Sequence, residues 1–356
     1  MAIFLQLAGT GLVLVSLVDI FLTVLHPRSE SNLLSIPVAQ VVWYLFRAGA
    51  QGPLKRRDRM LSYGGPTIIV TLIGVWVLLL LLGFALIVWP GLGGGIQAQQ
   101  GETPTDFVTA LYYTGFSLAT LGTGDLVPQG ATYRLLMILK SLLGFSVFTL
   151  VLSYVLSVYN ALTCRNTFAL SLHHRSADTA NSANLLAHLA AGNDTRSLQQ
   201  NTASIAQNLM QLLELNNSYP LLLYFRYRQT YYALPRVIYL AIDTATLVKT
   251  ALDQDHYSSV IQAAGTAELW CGGLHLLEEV DQAIASNSGG LPKEPQEPLW
   301  REHYYRALET LKDCGIHTTQ NPAGGANAYV SMRRKWAPQL HKLIRYMAYK
   351  PNHIFQ

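Results

Sequence analysis

The chain is short of charge. Of its 356 residues only 13% are Asp, Glu, Lys or Arg, while half are hydrophobic. Its mean hydropathy of +0.23 is too high for an average soluble protein. The formal net charge of +4 is too small to suggest a nucleic-acid partner. Cysteine is scarce as well. Cys164, Cys271 and Cys314 are odd in number, far apart and without metal-ligand spacing, which excludes a zinc site or a disulfide framework and reads as free thiols in a reducing cytoplasm. No Ser/His/Asp set, paired-carboxylate site or G-x-G-x-x-G after a strand occurs, so neither an enzyme nor a dinucleotide-binding regulator is expected. His173-His174 and His275 with Glu278 and Glu279 are isolated pairs, read as ordinary surface or core residues. No cofactor is called for.

Apolar residues concentrate in the first 160 positions. Three runs there reach the roughly 20 residues that cross a bilayer as a helix. These are Ile3 to Leu25, Pro66 to Trp89 and Leu135 to Tyr159. The first has no Lys or Arg ahead of it and is too long for a signal-peptide core, so it reads as a retained membrane helix. A shorter stretch, Leu33 to Ala50, places Val38, Val41, Val42, Leu45 and Phe46 on one helix face. It is expected to lie in the interface rather than to cross; a fourth span is the alternative.

Lys55, Arg56, Arg57 and Arg59 form the strongest basic cluster beside a span and mark the cytoplasmic side. The Pro66–Trp89 helix then runs outward, Gly91 to Gly101 is an external loop, and everything after about 160 is cytoplasmic. Met1 lies outside if 33–50 stays in the interface, and inside if it crosses. Asp19 and Lys140 stand inside spans, where charge is costly and functional by default. Each is expected to have a local structural role, and the two could pair only if Met1 is inside.

Between the second and third spans, Thr103 and Pro104 suit a helix N-cap and first turn, with Asp106 completing a capping-box-like pattern. The helix that follows, through Leu118, is too short to span. It would enter from outside and aim its negative C-terminal end at the membrane centre. Next come Thr120, Leu121, Gly122, Thr123, Gly124 and Asp125. Glycine holds positive φ without steric cost, so alternating Gly and larger residues lets a short strand turn its carbonyls to one side. Four such strands around an axis would make rings of oxygen able to replace the water of a monovalent cation.

Tyr112-Tyr113, followed by Thr120 to Asp125 and then Gly144, resembles the pore region of tetrameric potassium channels, in a bacterial member of the ion-channel family with one pore loop per chain. The resemblance covers Pro104 to Tyr159. It implies that Thr120 contributes hydroxyl and carbonyl, that Leu121, Gly122 and Thr123 contribute carbonyls, that Gly124 closes the outer end and that Asp125 anchors the mouth. Gly144 stands where similar channels carry a gating hinge. One departure matters: Thr123 replaces the usual Tyr or Phe, whose ring braces the filter, which puts selection of potassium over sodium in doubt.

The expected fold is all-α. An N-terminal membrane helix spans 1–32, an interfacial helix and basic loop 33–64, and a pore domain 65–162. A helical cytoplasmic domain fills 163–356, with a linker at 286–298 and a basic, solvated helical pattern from about Ala326 to Tyr349. The implied function is a homotetrameric, potassium-conducting channel in the plasma (inner) membrane, with potassium ions in the filter, the lipid bilayer as surroundings, no nucleic-acid partner and an unidentified cytosolic ligand or partner. A weakly selective cation channel is one alternative. A non-conducting sensor or scaffold acting through its cytosolic domain is another.

Overall fold

The computed structural model describes residues 1–26, 33–50, 53–284 and 297–355. The chain is helical almost throughout, and three helical stretches, Ala2–Leu25, Lys55–Gly91 and Ala131–Arg175, are long and apolar enough to cross a membrane. It divides into two compact units: Met1–Gly49 with Gly64–Tyr159, and Ala50–Tyr63 with Asn160–Gln356.

In the first unit, helix α1 (Ala2–Ile20, prolonged by a π turn through Leu25) lies along α4 (Gly64–Val88). The approach is close because Gly9 and Gly83 face each other. A Cβ on Gly9 would sit 2.4 Å from the Gly83 carbonyl oxygen, and one on Gly83 would sit 2.8 Å from that of Gly9. Small residues at such a crossing let two membrane helices gain dispersion contacts that lipid tails cannot supply. Helix α2 (Ser35–Gly49), at 15 residues, is too short to span. It buries Ser35, Ala39 and Trp43 and leaves Val41 and Leu45 exposed, so much of its apolar stripe is free to meet lipid.

Asp19 explains how α2 is anchored. Its carboxylate is fully buried. It accepts from the Leu34 N–H at 2.8 Å, the Ser35 N–H at 3.4 Å, the Ser35 hydroxyl at 2.7 Å and the Trp76 indole N–H at 2.7 Å. The N–H groups that open α2 have no partner within that helix, and the positive end of the helix favours an anion. Asp19 therefore caps α2 from α1 and ties both to α4, and it makes no pair with Lys140.

The second unit is a helical assembly around α9 (Leu234–Thr250), which is buried at every residue except Lys249. Around it lie α7 (Ser182–Leu189), α8 (Thr195–Ser218), α10 (Gln254–Ile261), α11 (Ala264–Ile284), α12 (Glu297–Asp313), α13 (Pro322–Arg333), α14 (Ala337–Tyr346) and the short α15 (Asn352–Phe355). The linker read at 286–298 falls almost wholly on residues outside those described. The basic pattern near the C-terminus is not one solvated face. It is broken into two helices, and Arg333 is buried against Asp243 at 3.5 Å, Arg334 pairs with Glu297 at 2.5 Å and Lys342 with Asp281 at 2.5 Å. Asp243 also accepts from the Tyr329 hydroxyl at 2.6 Å and lies 3.2 Å from His303 Nε2. Burial alone would push its carboxyl up, but the Arg333 guanidinium and His303 outweigh that and hold it down at about 2.

Of the isolated histidine pairs, His174 Nδ1 meets Asp178 at 2.8 Å and His275 Nε2 meets Glu279 at 3.3 Å. Among the described residues no group of three His, Cys, Asp or Glu side chains is placed to hold a metal. The three cysteines are exposed and free.

Candidate pore loop and its supports

Helix α5 (Phe107–Leu118) is the short helix expected between two spans. Its cap is Asp106, not Thr103. The Asp106 carboxylate accepts from the Thr109 N–H at 3.0 Å and the Thr109 hydroxyl at 2.8 Å. The Thr103 hydroxyl is engaged elsewhere, accepting from the Ala98 N–H at 2.9 Å. That bond belongs to a feature the sequence did not signal: strand β1 (Ile96–Ala98) pairs antiparallel with β2 (Leu126–Pro128), Gln97 opposite Val127. The Gly-rich external segment thus clasps the chain just beyond the filter-like stretch, and the Gln99 N–H extends the clasp to the Asp125 carbonyl at 2.8 Å. A small core of Ala85, Val88, Leu92, Ile96, Ala110, Tyr113, Phe116 and Leu126 joins α4, the β1–β2 pair and α5.

The stretch Thr120 to Asp125 has the alternation expected of it, and starts one step earlier than the glycines suggest. Positive φ occurs at Thr120 (56°), Gly122 (61°) and Gly124 (79°). For the two glycines this is free of steric cost; for Thr120, whose branched side chain crowds the backbone, it is strained. The strain is held by local bonds: the Thr120 N–H reaches the Ser117 carbonyl at 3.3 Å, the Thr120 hydroxyl the Ala119 carbonyl at 2.7 Å, and the Leu121 N–H the Phe116 carbonyl at 2.9 Å. All six residues are exposed on the isolated chain, and the Leu121 side chain is 73% exposed.

Thr123 makes polar contacts where the resemblance would place an aromatic ring. Its hydroxyl donates to Asp125 Oδ1 at 2.6 Å and accepts from the Tyr112 hydroxyl at 3.5 Å. The same Asp125 oxygen accepts from the Leu126 N–H at 3.0 Å. Tyr112 also packs edge-on against Phe116 at 5.3 Å between ring centroids. The chain Tyr112–Thr123–Asp125 therefore links α5, the filter-like strand and the residue that ends it by hydrogen bonds rather than by ring packing.

Tyr113, the other half of the aromatic pair, is buried and turns toward α6 (Ala131–Arg175). Lys140 Nζ lies 4.0 Å from its ring centroid, a cation–π contact in a desolvated place. Neither the Lys140 ammonium nor the Tyr113 hydroxyl has a hydrogen-bond partner among the described residues. Next to Lys140, the Ser141 hydroxyl donates to the Ser117 carbonyl at 3.0 Å. Gly144 lies one turn further along α6, and a Cβ there would sit 2.1 Å from the Leu118 carbonyl oxygen. Lys140, Ser141 and Gly144 thus form one face on which the C-terminal half of α5 rests. The four-residue spacing of Lys140 and Gly144 already places both on one helix face in the sequence; Ser141 carries no such signal.

Residues 67–161 match the model of a family described as ion channel. This stretch is similar to an ion-channel domain. It takes in most of α4, the β1–β2 pair, α5, the filter-like strand and the membrane part of α6, and so contains the Pro104–Tyr159 stretch that carries the resemblance. A curated relative, the uncharacterized membrane protein YdjJ of Bacillus subtilis (strain 168), is 24% identical over 226 residues. The match spans 63% of this chain and 63% of the relative, so it reaches well beyond the channel domain. No solved structure matches the chain.

Proposed function

We propose that the protein is a homotetrameric cation channel that conducts potassium through rings of carbonyl oxygen supplied by Thr120, Leu121, Gly122 and Thr123, with Gly124 and Asp125 at the outer mouth. The observation that carries this reading is the alternation of positive φ at Thr120, Gly122 and Gly124. Ordinary extended backbone sends successive carbonyls to opposite sides, whereas alternating left-handed residues bring them to one side. One chain supplies a quarter of each ring, and the exposure of all six residues fits a strand that meets three copies of itself around an axis. The cost of dehydrating a cation is offset by such carbonyls and by the negative end of α5.

A second reading, a weakly selective cation channel, is favoured by Thr123. Hydrogen bonds to Tyr112 and Asp125 resist widening of the ring less than a buried aromatic cuff does, because each contributes only about 1 kcal/mol net. In either case the channel sits in the plasma membrane with the second unit in the cytoplasm, the side marked by Lys55 to Arg59. Gly144 serves as gating hinge, and no covalent chemistry is involved. Purified protein in potassium-loaded liposomes is expected to release potassium down its gradient, and Gly122→Asp, which puts a side chain where φ is +61°, is expected to abolish release. Absence of flux from well-folded wild-type tetramers across voltage and pH would overturn the proposal.

A further inference from the structure

Helix α3 (Leu54–Ser62) has two faces with different employment. One is committed to the second unit. Asp58 pairs with Arg226 at 2.5 Å, Arg226 Nε donates to the Met347 carbonyl at 3.0 Å, and Arg57 reaches the Ala348 carbonyl at 3.4 Å. Leu61 is fully buried. The other face carries Lys55, Arg56 and Arg59, all exposed and none in an ion pair among the described residues. Elsewhere in that unit, Arg333, Arg334 and Lys342 do have carboxylate partners.

The position of these cations along the chain is what gives them a partner. Helix α3 ends at Ser62 and α4 begins at Gly64. At 1.5 Å per residue, Arg59 lies about 8 Å and Lys55 about 14 Å of helix from the start of the membrane span. The headgroup layer is roughly 5–8 Å thick, and at physiological salt its charge is felt over a further 8 Å or so. All three cations therefore fall within reach of a charged leaflet, on a face that the Asp58–Arg226 bond fixes. We propose that α3 is a docking surface for anionic phospholipid headgroups, bound through Lys55, Arg56 and Arg59. Because the opposite face of α3 is held by Arg226 and the Met347–Ala348 carbonyls of its own unit, lipid charge acts on a short helix whose other face is already fixed. This inference rests on α4 crossing a membrane and not on conduction, so a failed flux assay leaves it standing.

The test uses the full-length protein in mixed micelles of a neutral detergent with either phosphatidylcholine or phosphatidylglycerol, read by thermal unfolding. Phosphatidylglycerol is expected to raise the midpoint, phosphatidylcholine and soluble glycerol phosphate are not. Each cation near an anionic surface is worth about fivefold in affinity. A single Gln substitution should therefore raise the lipid needed for half the shift about fivefold, and Lys55→Gln/Arg56→Gln/Arg59→Gln together should abolish the shift while leaving the midpoint in phosphatidylcholine unchanged. Lys335→Gln/Lys350→Gln, exposed cations in the connections between the C-terminal helices, should keep the full shift. If the triple variant does not fold, the wild-type shift itself decides: it should collapse in 1 M salt. A triple variant that responds to phosphatidylglycerol like wild type, a shift lost in Lys335→Gln/Lys350→Gln instead, or a shift indifferent to salt would each overturn the proposal.

Discussion

Replacing Gly144 by alanine isolates the contact between α6 and α5. An added Cβ would stand 2.1 Å from the Leu118 carbonyl oxygen, 2.9 Å from its carbon and 3.2 Å from its Cα. Ordinary contact needs about 3.4 Å, and all three atoms are backbone, so no side chain can swing aside. Either α6 retreats from α5 by about 1 Å, which loosens the Ser141–Ser117 bond and the Lys140–Tyr113 contact with it, or the clash persists. Overpacking of this kind costs about 1–3 kcal/mol, and an immovable backbone places this case at the upper end. At roughly 2–4 °C per kcal/mol, the thermal midpoint of the detergent-solubilised protein should fall by about 6–12 °C. The matched control is Gly74→Ala, in mid-α4, where an added Cβ meets nothing within 4 Å; it should be neutral or slightly stabilising, since alanine is the better helix former. Equal midpoints for the two variants would refute the packing argument and leave Gly144 with a hinge role alone. A gating change in Gly144→Ala without loss of stability would say the same.

Four further outcomes follow from the geometry. Asp19→Leu strands the α2 opening N–H groups and the Trp76 indole, and should cost about 1–3 kcal/mol for each buried donor that finds no substitute; protection of the α1–α2 segment from protease, measured beside wild type, checks it. Thr123→Val keeps the shape but removes the hydroxyl that bonds Asp125 and Tyr112, and should lower potassium-over-sodium permeability in reversal-potential recordings, whereas Thr123→Ser should not. In the second unit Asp243 titrates at about 2 in the folded state, below its unfolded value, so it contributes stability that is fully present above about pH 4 and lost as pH falls towards 2. The loss is on the order of 2 kcal/mol, and Asp243→Asn should flatten that part of the acid-unfolding curve. Arg226→Gln leaves Asp58 part-buried without its cation and should release the Leu54–Ser62 helix, seen as faster amide exchange there.

What could be read from the sequence was whatever is local. Long apolar runs point to the three candidate spans, and the Gly122–x–Gly124 alternation with the preceding tyrosine pair points to the stretch with alternating positive φ. The cap was misplaced because Thr103 and Asp106 are both good capping residues, and the choice between them is made by Ala98, which claims the Thr103 hydroxyl. The strand pair that clasps the filter-like stretch is three residues on each side, too short for any periodicity to register. The basic C-terminal pattern was read as solvated because its partners are remote: Asp243 lies 90 residues before Arg333, and Glu297 lies 37 before Arg334. Asp19 was recognised as costly, but its partners are mostly backbone N–H groups and an indole, which carry no sequence signature. Thr120 showed no sign of positive φ, since a branched residue is the last place to expect it.

The most direct test of the account is a bi-ionic recording from the purified protein in a planar bilayer, with potassium on one side and sodium on the other. The account predicts a cation current that reverses toward the potassium equilibrium potential and is absent in Gly122→Asp. No current from wild type, a reversal set by the anion, or an unaltered current in Gly122→Asp would contradict it.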